Sequence, residues 1–265
     1  MSELTPKPPG SWVDVVQERT PARVFVGRAG GSYRTATQLE LRADHAAARD
    51  AVWEEVDLAG DLGGLVDSCG LFEVATRATS KEQFLLRPDL GRQLDAAARA
   101  ALQARCPAGA GLQVLVGDGL SAAAVRAQVP ALLPLILEGA RSAGWAVGQP
   151  FFVRHCRVGV VNDVGDVLGA EVVVVLIGER PGLATAESLS AYMAYRPRAG
   201  DTDARRNLIS NIHARGVPAA QAAARVLALA GRMRRLGASG VGVKEELADA
   251  ARPLPEPGGA GGMIG

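Results

Sequence analysis

Aromatic side chains are scarce: Phe, Trp and Tyr together supply 4% of the chain, against 48% hydrophobic residues in all. Its core must therefore be aliphatic. An excess of either charge is missing too. The 29 Lys and Arg residues nearly cancel the 28 Asp and Glu, leaving a net charge of +1. Without clustered basic excess, nucleic acid is not an expected partner. No window reaches the ~18 consecutive apolar residues of a membrane span, and no signal-peptide pattern opens the chain. Cys69, Cys106 and Cys156 are odd in number and show no CxxC spacing, which argues against a disulfide framework or a zinc site and suits a reducing interior. No Ser-His-Asp or Cys-His order, metal-ligand cluster or isolated carboxylate pair forms a catalytic set, so neither a catalytic residue nor a metal ligand is assigned.

What is present is concentrated in the second half. In Glu171-Val-Val-Val-Val-Leu-Ile-Gly-Glu-Arg-Pro-Gly-Leu183 an apolar, β-branched run stops at Gly178. It reads as a strand buried on both faces. Glu179 and Arg180 then sit at its carboxyl end, and Pro181-Gly182 turns the backbone. In open α/β sheets that edge is where ligands bind. Farther on, Arg206-Asn-Leu-Ile-Ser-Asn-Ile-His213 forms a second polar knot among apolar residues.

With 265 residues, the chain holds one large domain or one with a smaller companion. Residues 1–110 read as a helix-rich region. A short helix is expected near residues 12–18. Thr37-x-x-Glu40 forms a capping box before helically spaced apolar residues, and Asp89 is an expected N-cap for a helix through Arg105. From 111 to 245 strands and helices alternate: strand 112–116, helix 122–143 broken or kinked by Pro130 and Pro134, strand 151–161, a turn or short helix at 163–168 and strand 172–177. Residues 186–195 are of uncertain type. A final helix opens near Pro218 and closes at Gly237, with Arg232, Arg234 and Arg235 at its carboxyl end. The fold class is α/β, a Rossmann-like sheet domain after a smaller helix-rich region. The Gly- and Pro-rich tail, 246–265, is expected to be disordered.

Gly117-Asp-Gly-Leu-Ser-Ala122 fits the loose dinucleotide fingerprint GxGxxA. The acid expected ~20 residues later at a strand tip is instead Glu138, inside a helical stretch. A capping role for Ser121 or Asp118 competes with phosphate binding at the helix amino end. Glu179 can accept hydrogen bonds from a ligand or pair with Arg180. His45 suits a solvated helix position, and His213 a turn donor or a subunit contact. Arg23, Arg28, Arg34, Arg87 and Arg92 are either scattered surface cations or a basic face toward another chain.

Motifs along nearly the whole length give these readings a context. They include Ala22-Arg-Val-Phe-Val-Gly-Arg-Ala-Gly30, Ala43-Asp-His-Ala-Ala-Ala-Arg-Asp-Ala-Val52, Arg87-Pro-Asp-Leu-Gly-Arg92 and Asp118-Gly-Leu-Ser-Ala122. Pro150-Phe-Phe-Val-Arg154, Gly178-Glu-Arg-Pro-Gly-Leu183, Glu187-Ser-Leu-Ser190 and Ile209-Ser-Asn-Ile-His213 follow in order. In order and spacing the chain resembles the small subunit of ethanolamine ammonia-lyase. The resemblance implies a carbon–nitrogen lyase that converts ethanolamine to acetaldehyde and ammonia by adenosylcobalamin radical chemistry. It implies a barrel-shaped large subunit as partner and a heterododecamer, a trimer of paired units. By motif position, cofactor-binding residues are expected at Val158, Glu179 and Leu208. The last departs from the family's usual Cys, which rules out essential sulfur chemistry there.

Base-off cobalamin binders carry DxHxxG, and none of His45, His155 and His213 fits it. The base-on cofactor is therefore the compatible one. The expected location is cytoplasmic, with a bacterial microcompartment as the alternative. Two rival functions remain: a dinucleotide-binding oxidoreductase and a purely structural assembly subunit.

Overall fold

The computed structural model describes residues 12–20, 24–182 and 185–246. The tail expected to be disordered lies outside these residues from 247 onward. Helix α1 (Trp12–Arg19), the short strands β1 (Arg28–Ala29) and β2 (Ser32–Tyr33), and α2 (Thr35–Trp53) come first. They are followed by α3 (Leu58–Cys69), β3 (Phe72–Ala75), α4 (Lys81–Leu86) and α5 (Ala96–Arg105). Then come β4 (Leu112–Gly117), α6 (Ala122–Ser142), β5 (Phe151–Arg154), α7 (Val160–Leu168) and β6 (Val172–Gly178). Strands β7 (Leu189–Tyr195) and β8 (Asn207–Ile212) precede α8 (Ala219–Leu236).

Unbroken aliphatic runs place β4 and β6 at the centre, since every residue of both strands is buried. The main sheet has the order β3-β5-β4-β6-β7-β8. Its first four strands are parallel, and β7 and β8 add on antiparallel. The Rossmann-like α/β expectation is met by this mixed sheet. On one face Val114, Val116, Val174 and Leu176 pack with Leu133, Ile136 and Leu137 of α6 and with Val226 and Met233 of α8. On the other, Leu115, Val173 and Val175 meet Leu102 of α5 and Val161 and Val164 of α7. Beyond β6 this second face ends at Tyr192, half-buried, and at Leu208, 44% exposed.

Several expectations need correction. Asp89 caps no helix: its carboxylate takes a two-pronged contact from Arg87 at 3.0 and 2.8 Å, and Asp95 caps α5 by accepting from the Ala98 amide at 2.6 Å. A 3₁₀ turn at Leu90–Arg92 separates the two aspartates. Thr37 lies buried inside α2, whose N-cap is Arg34, so the capping box does not form. The strand expected over 151–161 stops at Arg154, because His155 takes a positive φ of 56° and α7 starts at Val160. Helix α6 runs through Pro130 and Pro134 as a single element. The segment 186–195 resolves into β7, the polar knot becomes β8, and β3 joins the sheet from within the region read as helical.

Candidate functional site

The site begins with how the tips of β4, β5 and β6 are tied together. Asp118, directly after β4, is fully buried. Its carboxylate accepts from its neighbour Gly119 N at 2.8 Å and, across the sheet, from His155 N at 2.8 Å and Cys156 N at 2.7 Å. The loop after β5 is thereby stitched to the tip of β4. Burial pushes the Asp118 carboxyl up, while the Lys81 charge and the amide donors pull it back. On the other side, Leu120 N donates to the Gly178 carbonyl at 3.0 Å. The glycines make that approach possible: a Cβ on Gly119 (φ +58°) would fall 2.6 Å from Ile177 Cγ1, and one on Gly178 2.7 Å from the Asp118 carbonyl. Ser121 caps α6 by accepting from Ala124 N at 3.1 Å. The Gly117–Ser121 loop thus serves close packing and capping.

The tied tips surround a cleft of about 340 Å³, lined by Gly119, Arg157, Val158, Glu179, Arg180 and Tyr192 among others. Of the three residues expected from the sequence, Val158 and Glu179 meet there. The third, Leu208, lies one strand farther out, directly across the β7–β8 ladder from Tyr192. Residues opposed in a ladder share a face, so Val158, Tyr192 and Leu208 extend one apolar surface from the cleft toward the sheet edge.

The Glu179 carboxylate does not pair with Arg180. It accepts from Ser188 Oγ at 2.8 Å and from Ser190 Oγ, while the Glu179 amide donates to the Ser188 carbonyl at 3.0 Å. Antiparallel pairing creates this arrangement, because Gly178 faces Leu189 and Ile177 faces Ser190. Burial, with the Glu179 charge second, raises the Tyr192 hydroxyl's pKa, keeping it a neutral phenol.

Sequence reasoning passed over Arg157 and Tyr192. Arg157 lies 4.1 Å from the Phe84 ring centroid and donates to the Phe84 carbonyl at 3.1 Å, yet its buried Nε has no partner. Its position next to Val158 was the available signal. Past Gly159 lies a second cleft of about 660 Å³ with Arg92, Asn162 and Arg206 on its walls. There Arg99 contacts Asp163 at 2.6 Å, and Arg206 pairs with Asp203.

Two of the three histidines, His155 and His213, are occupied within the chain. Nδ1 of His155 lies 2.9 Å from the Ala78 carbonyl and Nε2 lies 3.2 Å from Glu55. The His213 Nε2 bonds Asn211 Oδ1 at 2.7 Å, and its Nδ1 accepts from Arg215 N at 3.3 Å. His45 is exposed on α2. Burial first, and then Arg215, lowers the pKa of His213.

These features define a class: an α/β protein with an open ligand-sized surface at the carboxyl ends of its strands, at the place the rule for open sheets expects. Comparison with known proteins supplies the family. The family model "Ethanolamine ammonia-lyase light chain (EutC)" matches residues 11–244. An ethanolamine ammonia-lyase small subunit from Fusobacterium nucleatum is 46% identical over 228 residues, covering 86% of this chain and 76% of the relative. Those from Clostridium perfringens and Clostridioides difficile are 42% identical over 229 residues and 41% over 239. They cover 86% and 90% of this chain, and 76% and 80% of their own lengths. The chain belongs to the ethanolamine ammonia-lyase light-chain family: it is the small subunit of a cobalamin-dependent lyase that works with a large subunit. The oxidoreductase alternative falls with that assignment.

Proposed function

We propose that this subunit holds and shields one side of adenosylcobalamin, bound base-on, where it meets the large subunit. The observation that carries this reading is the union of an acceptor and an apolar shelf at one edge of the sheet. Glu179 stands at the cleft beside Val158, and Tyr192 and Leu208 continue the surface. The residues suit the group. A corrin bears neutral amide side chains on an apolar ring. Glu179 can accept from such amides, and Val158, Tyr192 and Leu208 offer dispersion contact to the ring. Each histidine has its own role in the chain or stands on α2, which supports an axial base supplied by the cofactor itself. When bound, the cofactor supplies the radical that starts the conversion of ethanolamine to acetaldehyde and ammonia. This chain's residues position the cofactor and keep water from its edge. Val158, Glu179 and Leu208 are proposed as the contacts, in a heterododecamer with the large subunit in the cytoplasm.

The test is a Val158→Trp subunit co-purified with its large subunit. An indole in the cleft should weaken cobalamin binding at least about tenfold while the complex still assembles. Unchanged affinity with intact assembly would leave only the scaffold role.

A further inference from the structure

Three arginines stand close together beside the cleft, and among the described residues none of them forms an ion pair. Arg157 and Arg180 line it. Arg92 lies across Gly159 on the wall of the neighbouring cleft, which also holds Asp163, Asp201 and Asp203; a Cβ on Gly159 would come within 2.8 Å of its Cγ. The segment carrying Arg92 is fixed to the one carrying Arg157, because Arg157 N donates to the Gly91 carbonyl at 2.8 Å. Gly91 allows this closeness, since a Cβ there would fall 2.7 Å from Arg157 Cγ. The acid at the cleft, Glu179, is engaged with Ser188 and Ser190. Asp118 is buried beneath, where it accepts from three amides and reaches Arg157 through its charge alone. Arg157 keeps a buried Nε with no acceptor. Burial, followed by the like charges of Arg180 and Arg92, lowers its pKa.

A second source of positive potential points at the same place. Gly119 and Leu120 line the cleft immediately before the 21-residue helix α6; their own amides are spent on Asp118 and Gly178, but the helix dipole still favours an anion near its amino end. Two cationic features, Arg157 with Arg180 on the cleft and the helix dipole beside it, call for a negatively charged ligand group.

Resting on the cofactor reading above, we propose that Arg92, Arg157 and Arg180, with the amino end of α6, form the subsite for the phosphodiester of the cobalamin nucleotide tail. The phosphodiester is the anionic group on the cofactor's periphery, where the amide side chains are neutral. Guanidinium forks suit its paired oxygens. The subsite also sets polarity: the phosphate end of the cofactor lies over Arg157, and the amide-bearing ring extends toward Tyr192 and Leu208.

The experiment compares two ligands on the complex of both subunits: cyanocobalamin, and cyanocobinamide, which lacks the phosphodiester, ribose and base. Equilibrium dialysis read by corrin absorbance gives both affinities, for wild type and for Arg92→Ala/Arg180→Ala. Both residues are exposed, so their removal should not disturb folding. The double variant should bind cyanocobalamin about tenfold more weakly and cyanocobinamide within about twofold of wild type, and raising the salt concentration should narrow the gap. Arg157→Lys keeps a charge over Phe84 and should give an intermediate loss for cyanocobalamin alone. Equal losses for both ligands, or none for cyanocobalamin, would overturn the subsite and leave the cofactor reading standing. So would weakened association with the large subunit at unchanged ligand affinity, which would mean that the arginines face a partner carboxylate. If instead wild-type complex and large subunit alone bind both ligands equally well, the cofactor reading itself fails.

Discussion

Two acids follow the two central strands of the sheet, and they do opposite work. Asp118, after β4, is fully buried, and its carboxylate is consumed by three amides from two segments. Glu179, after β6, stays partly exposed and is held by two serine hydroxyls. An amide fixed in the backbone cannot turn away if its acceptor is removed, whereas a hydroxyl can rotate to another partner or to water. The first acid belongs to the scaffold, and the second is available to a ligand. An acid at a strand tip is therefore an ambiguous sign until its partners are known.

The sharpest way to break this comparison is at the buried member. Asp118→Ala strands amides in a dry interior at about 1–3 kcal/mol each. Its melting temperature should fall by roughly 10 °C or more, or the subunit should be recovered only as aggregate. Asp118→Asn should fall in between, because its NH2 group faces amide donors. Circular dichroism melts decide the matter, and an unchanged melting point for Asp118→Ala would erase the distinction. Glu179→Ala should do the reverse. The melting temperature should move by less than about 3 °C, while cobalamin affinity of the two-subunit complex falls on the order of tenfold. A large loss of stability with full affinity would make Glu179 a second scaffold acid.

A smaller effect tests the ground beside Glu179. The pKa of His213 is lowered by burial and then by Arg215, with Glu179 and Glu187 opposing. A histidine kept neutral by folding contributes its full stability above its unfolded pKa of about 6.5. That contribution drains away as the pH falls from there through the lower folded value. Between pH 7 and pH 5 the melting temperature should drop by roughly 2–4 °C, and His213→Gln should flatten this dependence. A wild-type melting point independent of pH in this range would contradict the assigned direction. The smallest change is expected from Leu208→Cys, which puts a thiol at the outer end of the apolar shelf. Because Leu208 offers only surface and backbone, cobalamin affinity should stay within about twofold. A larger gain would show that the thiol contributes a contact leucine cannot.

How much of this was legible in the sequence follows from where each signal resides. Strands β4 and β6 announce themselves by unbroken aliphatic runs, and α8 by its periodicity between Pro218 and Gly237. Strand β8 does not, because Asn207, Ser210 and Asn211 interrupt its pattern and its buried positions are Ile209 and Ile212. Its extended form comes from pairing with β7 and includes a register shift that no local signal carries. Strand β3 is four residues long and aligns on β5, far away in the chain. Glu179 was readable because the end of a buried strand is itself a local signal. The clamp at Asp118 was not, since two of its donors lie 37 and 38 residues away. The same distance in sequence hid the arginine convergence, where Arg92 and Arg180 come from opposite sides of the sheet order.

The three thiols described here differ in a way that makes them a built-in gauge of intactness. Cys69 is half-buried, whereas Cys106 and Cys156 are buried. Burial pushes the Cys106 thiol up to about 11 and Cys156 well above its ordinary value. Alkylating reagents attack the thiolate, so the native subunit at neutral pH should take up one label quickly and three only after unfolding. Label stoichiometry thus separates a variant that has lost its ligand from one that has lost its shape.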